Sequence, residues 1–259
     1  MNFKRIAILF SVLLFLIYAG LLLSLLQYFN IGLFVNHLFS ERVLHALKLS
    51  VMTASISSGV AMLLGLPAAY AISRYNFPGK NIVDTMLELP MIVSPAALGA
   101  MLLIFFSSPI GQKVQLAGFD TIFTWKGIVV AQFVTIAGLA TRLLKAVLDE
   151  IPERYELVAR SLGAKPVVAF FTVTMPLIKR GIIASLILTW AKALGEFGAT
   201  FTVAGAMAMK TETLPTAIFM RLSTANVEAA VTLIIIVVGV GFSTLYIARL
   251  FSRGRERDA

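Results

Sequence analysis

The segment Ile151-Pro-Glu-Arg-Tyr-Glu-Leu-Val-Ala-Arg-Ser-Leu-Gly163 is a polar island between two long apolar runs. Within it Tyr155, Val158, Ala159 and Leu162 recur at i, i+3, i+4 and i+7, which places them on one face of a helix. Pro152 suits a first helical turn, where its missing N–H is no loss, and Gly163 suits the left-handed position that closes a helix. A second short helix is predicted from about Pro166, and Pro176 precedes the next apolar run. The spacing therefore predicts a helix–turn–helix elbow with an apolar stripe and a basic rim of Arg154, Arg160 and Lys165. Such an elbow can lie on an anionic lipid surface or dock in a groove of a partner protein. Pattern alone leaves both readings open.

On either side of the elbow the chain is built for a bilayer. Of its 259 residues, 59% are hydrophobic and only 14% are charged, against a usual quarter charged, and the mean hydropathy is +0.90. Too few polar side chains remain to cover a water-facing surface, which excludes a soluble globular protein and a disordered one. With no cysteine and only His37 and His45, thiolate and histidine-rich metal centres are excluded as well. A spanning helix needs ~20 mostly apolar residues. Six segments meet this: about Ile6–Phe29, Leu47–Ile72, Leu89–Phe106, Lys126–Ala146, Leu177–Ala204 and Ala229–Leu250. The first follows Lys4 and Arg5, yet its apolar run is longer than that of a secretory signal and no A-x-A site closes it, so it is read as retained. The third is interrupted by Pro90 and Pro95 and should pack against protein or line a path.

Orientation follows from charge. Of the 22 Lys and Arg, fifteen fall on the side of the N-terminus, six on the other side, and Lys192 within a span. The asymmetry places both termini and the elbow segment, residues 147–176, in the cytoplasm. It also accounts for the net charge of +9 without nucleic acid. The fold class expected is an all-α integral membrane protein of six transmembrane helices, with the elbow between the fourth and fifth. The organisation expected is an N-terminal helix and first external loop (1–44), a permease domain (45–251) and a basic cytoplasmic tail (252–259).

The elbow resembles the EAA loop of ABC importer permeases. In that loop a Glu-Ala-Ala triplet, a Gly and a Pro 13 residues after the Gly form the coupling helix that docks on the ATPase. Gly163 and Pro176 have this spacing, and Ala159 matches the last residue of the triplet; Leu157 and Val158 occupy its first two places, with Glu156 one position early. The resemblance implies an ATPase-coupling role for Glu156, Ala159, Arg160, Gly163, Ala164 and Pro176. Leu66-Pro-Ala-Ala-Tyr70, Phe77-Pro-Gly-Lys80 and Glu88-Leu-Pro90 resemble the molybdate, tungstate and sulfate permeases. Trp190-Ala-Lys-Ala-Leu-Gly-Glu-Phe-Gly-Ala-Thr200 resembles the molybdate/tungstate branch, with Lys192 where that branch often has Arg. The permease domain is thereby similar to the ABC transmembrane type-1 domain. The resemblance implies a homodimer served by cytoplasmic ATP-binding cassette subunits and an extracytoplasmic oxyanion-binding protein in the cell membrane. It implies no cofactor and no catalytic residue of the chain's own.

Lys192 and Glu196 stand one turn apart within the fifth span. Ionisable side chains inside a membrane are costly and mark functional sites by default. They read as a mutually neutralising pair in a gate or translocation path, with contact to the anion as the alternative. Gly195 and Gly198 are expected to let helices approach closely, and Thr200 completes this candidate path. Moving a dianion into a cytoplasm held at ~150 mV negative costs roughly 7 kcal/mol. No GxxxxGK[ST] loop is present to supply that energy from nucleotide. No G-x-S-x-G elbow or H-E-x-x-H pair supports an intramembrane enzyme either. The function expected is import of molybdate or tungstate driven by a separate ATPase, with sulfate or an ion-coupled carrier as alternatives.

Overall fold

The computed structural model describes residues 3–252 and contains only helices and turns among them. The expected basic tail lies almost wholly outside the described residues. α1 (Phe3–Ser24) runs through a 3₁₀ turn, Leu25–Tyr28, to α2 (Ile31–Leu38) and α3 (Glu41–Arg74). α4 (Lys80–Ile92), α5 (Pro95–Ser107) and α6 (Pro109–Leu116) follow, then α7 (Trp125–Asp149). The elbow is α8 (Arg154–Ser161) and α9 (Pro166–Ala169), continued by a π turn, Phe170–Thr174, into α10 (Met175–Leu194). α11 (Gly198–Ala204), α12 (Leu214–Ser223) and α13 (Val227–Ser252) complete the chain.

Among the described residues, five helical stretches are long and apolar enough to cross a membrane, and a sixth crossing requires counting the bent pair α4–α5 as one. That third span is no single helix: α4 and α5 meet at 113°. The cause is local. A residue before proline is held out of the helical region, and Ser94 is extended (ψ 144°) ahead of Pro95. Its hydroxyl then accepts from Ala97 N and caps α5. The fifth span also differs from expectation. It starts at Pro166 rather than Leu177, because Pro166 opens a helix that the π turn carries on without interruption. It stops at Leu194, so 195–204 form a break and a separate short helix. The elbow segment between spans is accordingly 150–165, shorter than the expected 147–176.

α3, α7 and α10 form the centre. Their contact is lined by small side chains, among them Ala54, Ala61, Ala69, Ala140 and Ala193, interleaved with Ile136, Leu144, Leu148 and Ile178. Small residues let backbones come close where lipid offers no hydrophobic drive for association. Gly138 of α7 is one such close approach, since a Cβ there would run into the Leu87 carbonyl of α4. One polar tie crosses all three helices: Ser57 Oγ bonds Gln132 Oε1 at 3.0 Å, and Gln132 Nε2 donates to Ala193 O at 3.1 Å. A second cluster packs Val43 and Ala46 of α3 against Leu214 and Ala217 of α12 and Leu233 and Ile236 of α13. α1 buries none of its residues.

Candidate functional site

At the end of the bundle where α3 and α7 finish, Arg74 reaches across to the last turn of α7. Its Nη2 donates to Leu148 O at 2.9 Å and to Ile151 O at 2.7 Å, satisfying carbonyls that a helix end leaves orphaned. The same side chain approaches the elbow, with Nε 3.8 Å from Glu156 Oε1. Glu156 is 7% exposed and is held from two further sides. Tyr70 donates its phenolic O–H to Oε2 at 2.6 Å, and Thr174 Oγ1 donates to Oε1. A buried carboxylate is tolerable only when charge and hydrogen bonds meet it, and here one cation and two hydroxyls do so.

With Glu156 turned inward, the rest of α8 faces away from the bundle. Leu157, Val158 and Leu162 are exposed, the last at 84%, flanked by Arg154 and Arg160. The apolar face thus lies partly beside the predicted stripe: Tyr155 is half exposed, Ala159 is intermediate, and Leu157 joins Val158 and Leu162. Ala159, Gly163 and Ala164 act through backbone. Gly163 N donates to Arg160 O at 3.0 Å and Ala164 N to Ala159 O at 3.1 Å, with Gly163 at φ +95°. This is the Schellman closure of a helix, and only glycine takes that φ without strain. Pro176 lies in the first turn of α10 and borders a cleft of about 460 Å³ shared with Val147, Ile151, Lys179 and Arg180.

The second predicted set lies near the other end of α10, whose 20 residues span about 30 Å at 1.5 Å per residue. The expected Lys192–Glu196 pair is not formed. α10 ends at Leu194, so Glu196 is no longer on its surface; it is 2% exposed, and its Oε1 accepts from Ala199 N at 3.0 Å, in the first turn of α11. Lys192 is exposed and makes no ion pair among the described residues. Gly198 does allow close approach: a Cβ there would lie 2.9 Å from Ala96 N and 3.0 Å from Pro95 Cβ. The break before α11 therefore rests on the break before α5. Gly195 does not play the part expected of it, since a Cβ would meet nothing nearer than 3.7 Å. Thr200 is fully buried, and among the described residues its hydroxyl has no hydrogen-bond partner.

Sequence reasoning missed Tyr70, Arg74 and Thr174, and also a pair at the opposite end from the elbow. There Arg42 of α3 grips Glu212 with two bonds of 2.6 Å, and Glu212 is 1% exposed. The bond fixes the segment leading into α12, where Leu214 N also donates to Ser50 Oγ at 2.8 Å.

Comparison with known proteins bears on what this bundle is. Residues 61–257 match the family described as binding-protein-dependent transport system inner membrane component. The sulfate transport system permease protein CysW of Synechococcus elongatus is 30% identical over 94% of this chain and 89% of its own length. The molybdenum transport system permease protein ModB of Escherichia coli K12 is 33% identical over 82% of this chain and 95% of its own. In fold, a chain of the bacterial alginate ABC transporter, crystallised with an alginate pentasaccharide-bound periplasmic protein, superposes with a TM-score of 0.74 at 20% identity, covering 96% of this chain and 95% of that one. A chain of the inward-facing MetNI methionine ABC transporter superposes at 0.62 and 18% identity, covering 82% of this chain and 99% of that one. The chain belongs to the family of binding-protein-dependent transport system inner membrane components, the ABC importer permeases whose molybdate and sulfate members its sequence resembles.

Proposed function

We propose that the chain is the translocating subunit of an oxyanion importer, taking molybdate or tungstate inward as a homodimer. In this reading an extracytoplasmic binding protein delivers the anion at the end carrying Arg42 and Glu212. Two ATP-binding cassette subunits bind at the elbow, and both termini are cytoplasmic. The observation that carries it is the outward apolar face of α8, Leu157, Val158 and Leu162, on a helix fixed from behind. An amphipathic helix with its anchors on one side and bare leucines on the other is a ready occupant of a protein groove. The charge asymmetry supports the orientation. The coupling residues proposed are Glu156, Ala159, Arg160, Gly163, Ala164 and Pro176. The path or gate proposed is the double break formed by Lys192, Gly195, Glu196, Gly198 and Thr200 with the start of α5.

Sulfate is the second reading, favoured by the coverage of the Synechococcus CysW, which extends over more of this chain than the molybdenum permease does. Uptake of radiolabelled molybdate and sulfate by cells expressing the complete transporter, each with the other as competitor, separates them. The molybdate reading expects ATP-dependent uptake of molybdate that tungstate blocks and sulfate does not. Sulfate uptake insensitive to molybdate would contradict it.

A further inference from the structure

Glu156 stands one position before the place where the resembled coupling helix carries its glutamate, and it points into the bundle. Its two oxygens are occupied by Tyr70 and Thr174, with Arg74 beside them, and these residues belong to the end of α3 and to the π turn. Arg74 at the same time holds Leu148 O and Ile151 O at the end of α7. The π turn has a clear reason to exist in this setting. Ala169 and Thr174 are both buried at a spacing of five, which is one turn only in a π-helix, and Ile178 continues the same face at a spacing of four. Without the extra residue in the turn, Thr174 would rotate away from Glu156. π turns of this kind recur at functional positions.

We infer that Glu156 is a positioning residue, the internal pin that makes α8, the inner ends of α3 and α7 and the π turn into one lever. It is not a contact for the ATPase. A docking helix joined to its own span only by a flexible connection would absorb the motion of the ATPase. Pinned through a buried carboxylate to α3 and, by way of Arg74, to α7, it delivers that motion to the two helices at the centre of the bundle. The pin rests on the reading of α8 as the ATPase dock, and the two fail separately.

The transporter is purified from its native membranes through a tag on this chain, with Glu156→Gln, Tyr70→Phe and Thr174→Val compared to the unmodified protein. Vanadate-sensitive ATP hydrolysis in the purified complex reports docking, and uptake of radiolabelled molybdate and sulfate per ATP hydrolysed reports coupling. All three variants should retain the hydrolysing subunit, while uptake per ATP falls about fivefold, within the range that changes to a coupling network produce. Spin labels at cysteines replacing Asn76 and Ser161, both exposed in a chain without cysteine, add a direct readout. Their separation should be the same with and without trapped ATP in the unmodified protein, and should broaden in Glu156→Gln. Should Glu156→Gln fail to fold, Tyr70→Phe and Thr174→Val, which each delete one hydroxyl, carry the same comparison.

Normal uptake per ATP in the variants overturns the pin. So does loss of the hydrolysing subunit at unchanged thermal stability, which would make Glu156 a direct contact. A label separation that changes with nucleotide in the unmodified protein overturns it too. Absence of any ATP-hydrolysing subunit from the unmodified complex defeats the docking reading instead.

Discussion

Glu196 is buried at the break between α10 and α11 and takes a hydrogen bond from Ala199 N, while Lys192 stands exposed on the preceding turn. Their substitutions should act independently. Glu196→Ala removes a charge-assisted bond and should cost about 1.5–3 kcal/mol, whereas Lys192→Met should stay within about 0.5 kcal/mol. The double variant should equal the sum within about 0.5 kcal/mol in detergent unfolding, and a coupling well above that would restore the ion pair. The two glycines of the same break should also part company. Gly198→Val forces side-chain atoms into Pro95 and Ala96 and should cost about 1–3 kcal/mol, while Gly195→Ala meets open space and should be nearly silent. At this scale the sequence was least legible. The pair was inferred from helical spacing, and the helix ends before the second member. The partners of Glu156 lie 18 and 86 residues away, and no local pattern announces them.

Helices were easier to read than their junctions. The elbow was legible because Pro166, Gly163 and the apolar spacing are local signals, and α8, the glycine turn and α9 follow them. The junction at Val93–Ser94 was not, because whether a proline kinks a span or breaks it depends on what packs beside it, and the break at Gly195–Phe197 carries no proline at all. The π turn left no mark in the sequence; it ends on Thr174, whose hydroxyl bonds Glu156. The elbow turn yields its own prediction. Gly163→Val places a β-branched residue at φ +95° and should strain the closure by about 1–2 kcal/mol, loosening α8. Trypsin cleavage at Arg154 and Arg160 should then accelerate while the spans still insert. Cleavage at the unmodified rate would show that the turn does not need its glycine.

For the molecule as a whole, composition and the count of apolar runs were enough for fold class, since a bilayer constrains a chain more strongly than water does. The count of six stands only if the bent pair α4–α5 is one crossing. Orientation is the claim that charge alone carries. A single cysteine at Ser161 should be labelled by an impermeant reagent only after the membrane is opened, and one at Lys210 should be labelled from outside. In the proposed function the exposed leucine face of α8 meets an ATP-binding protein and not lipid. A photo-crosslinking side chain at Leu162, 84% exposed, tests it most directly in intact membranes. The expected product is a crosslink to an ATP-hydrolysing subunit, diminished when Val158 is changed to Asp, whereas adducts confined to lipid would rule out docking at this face.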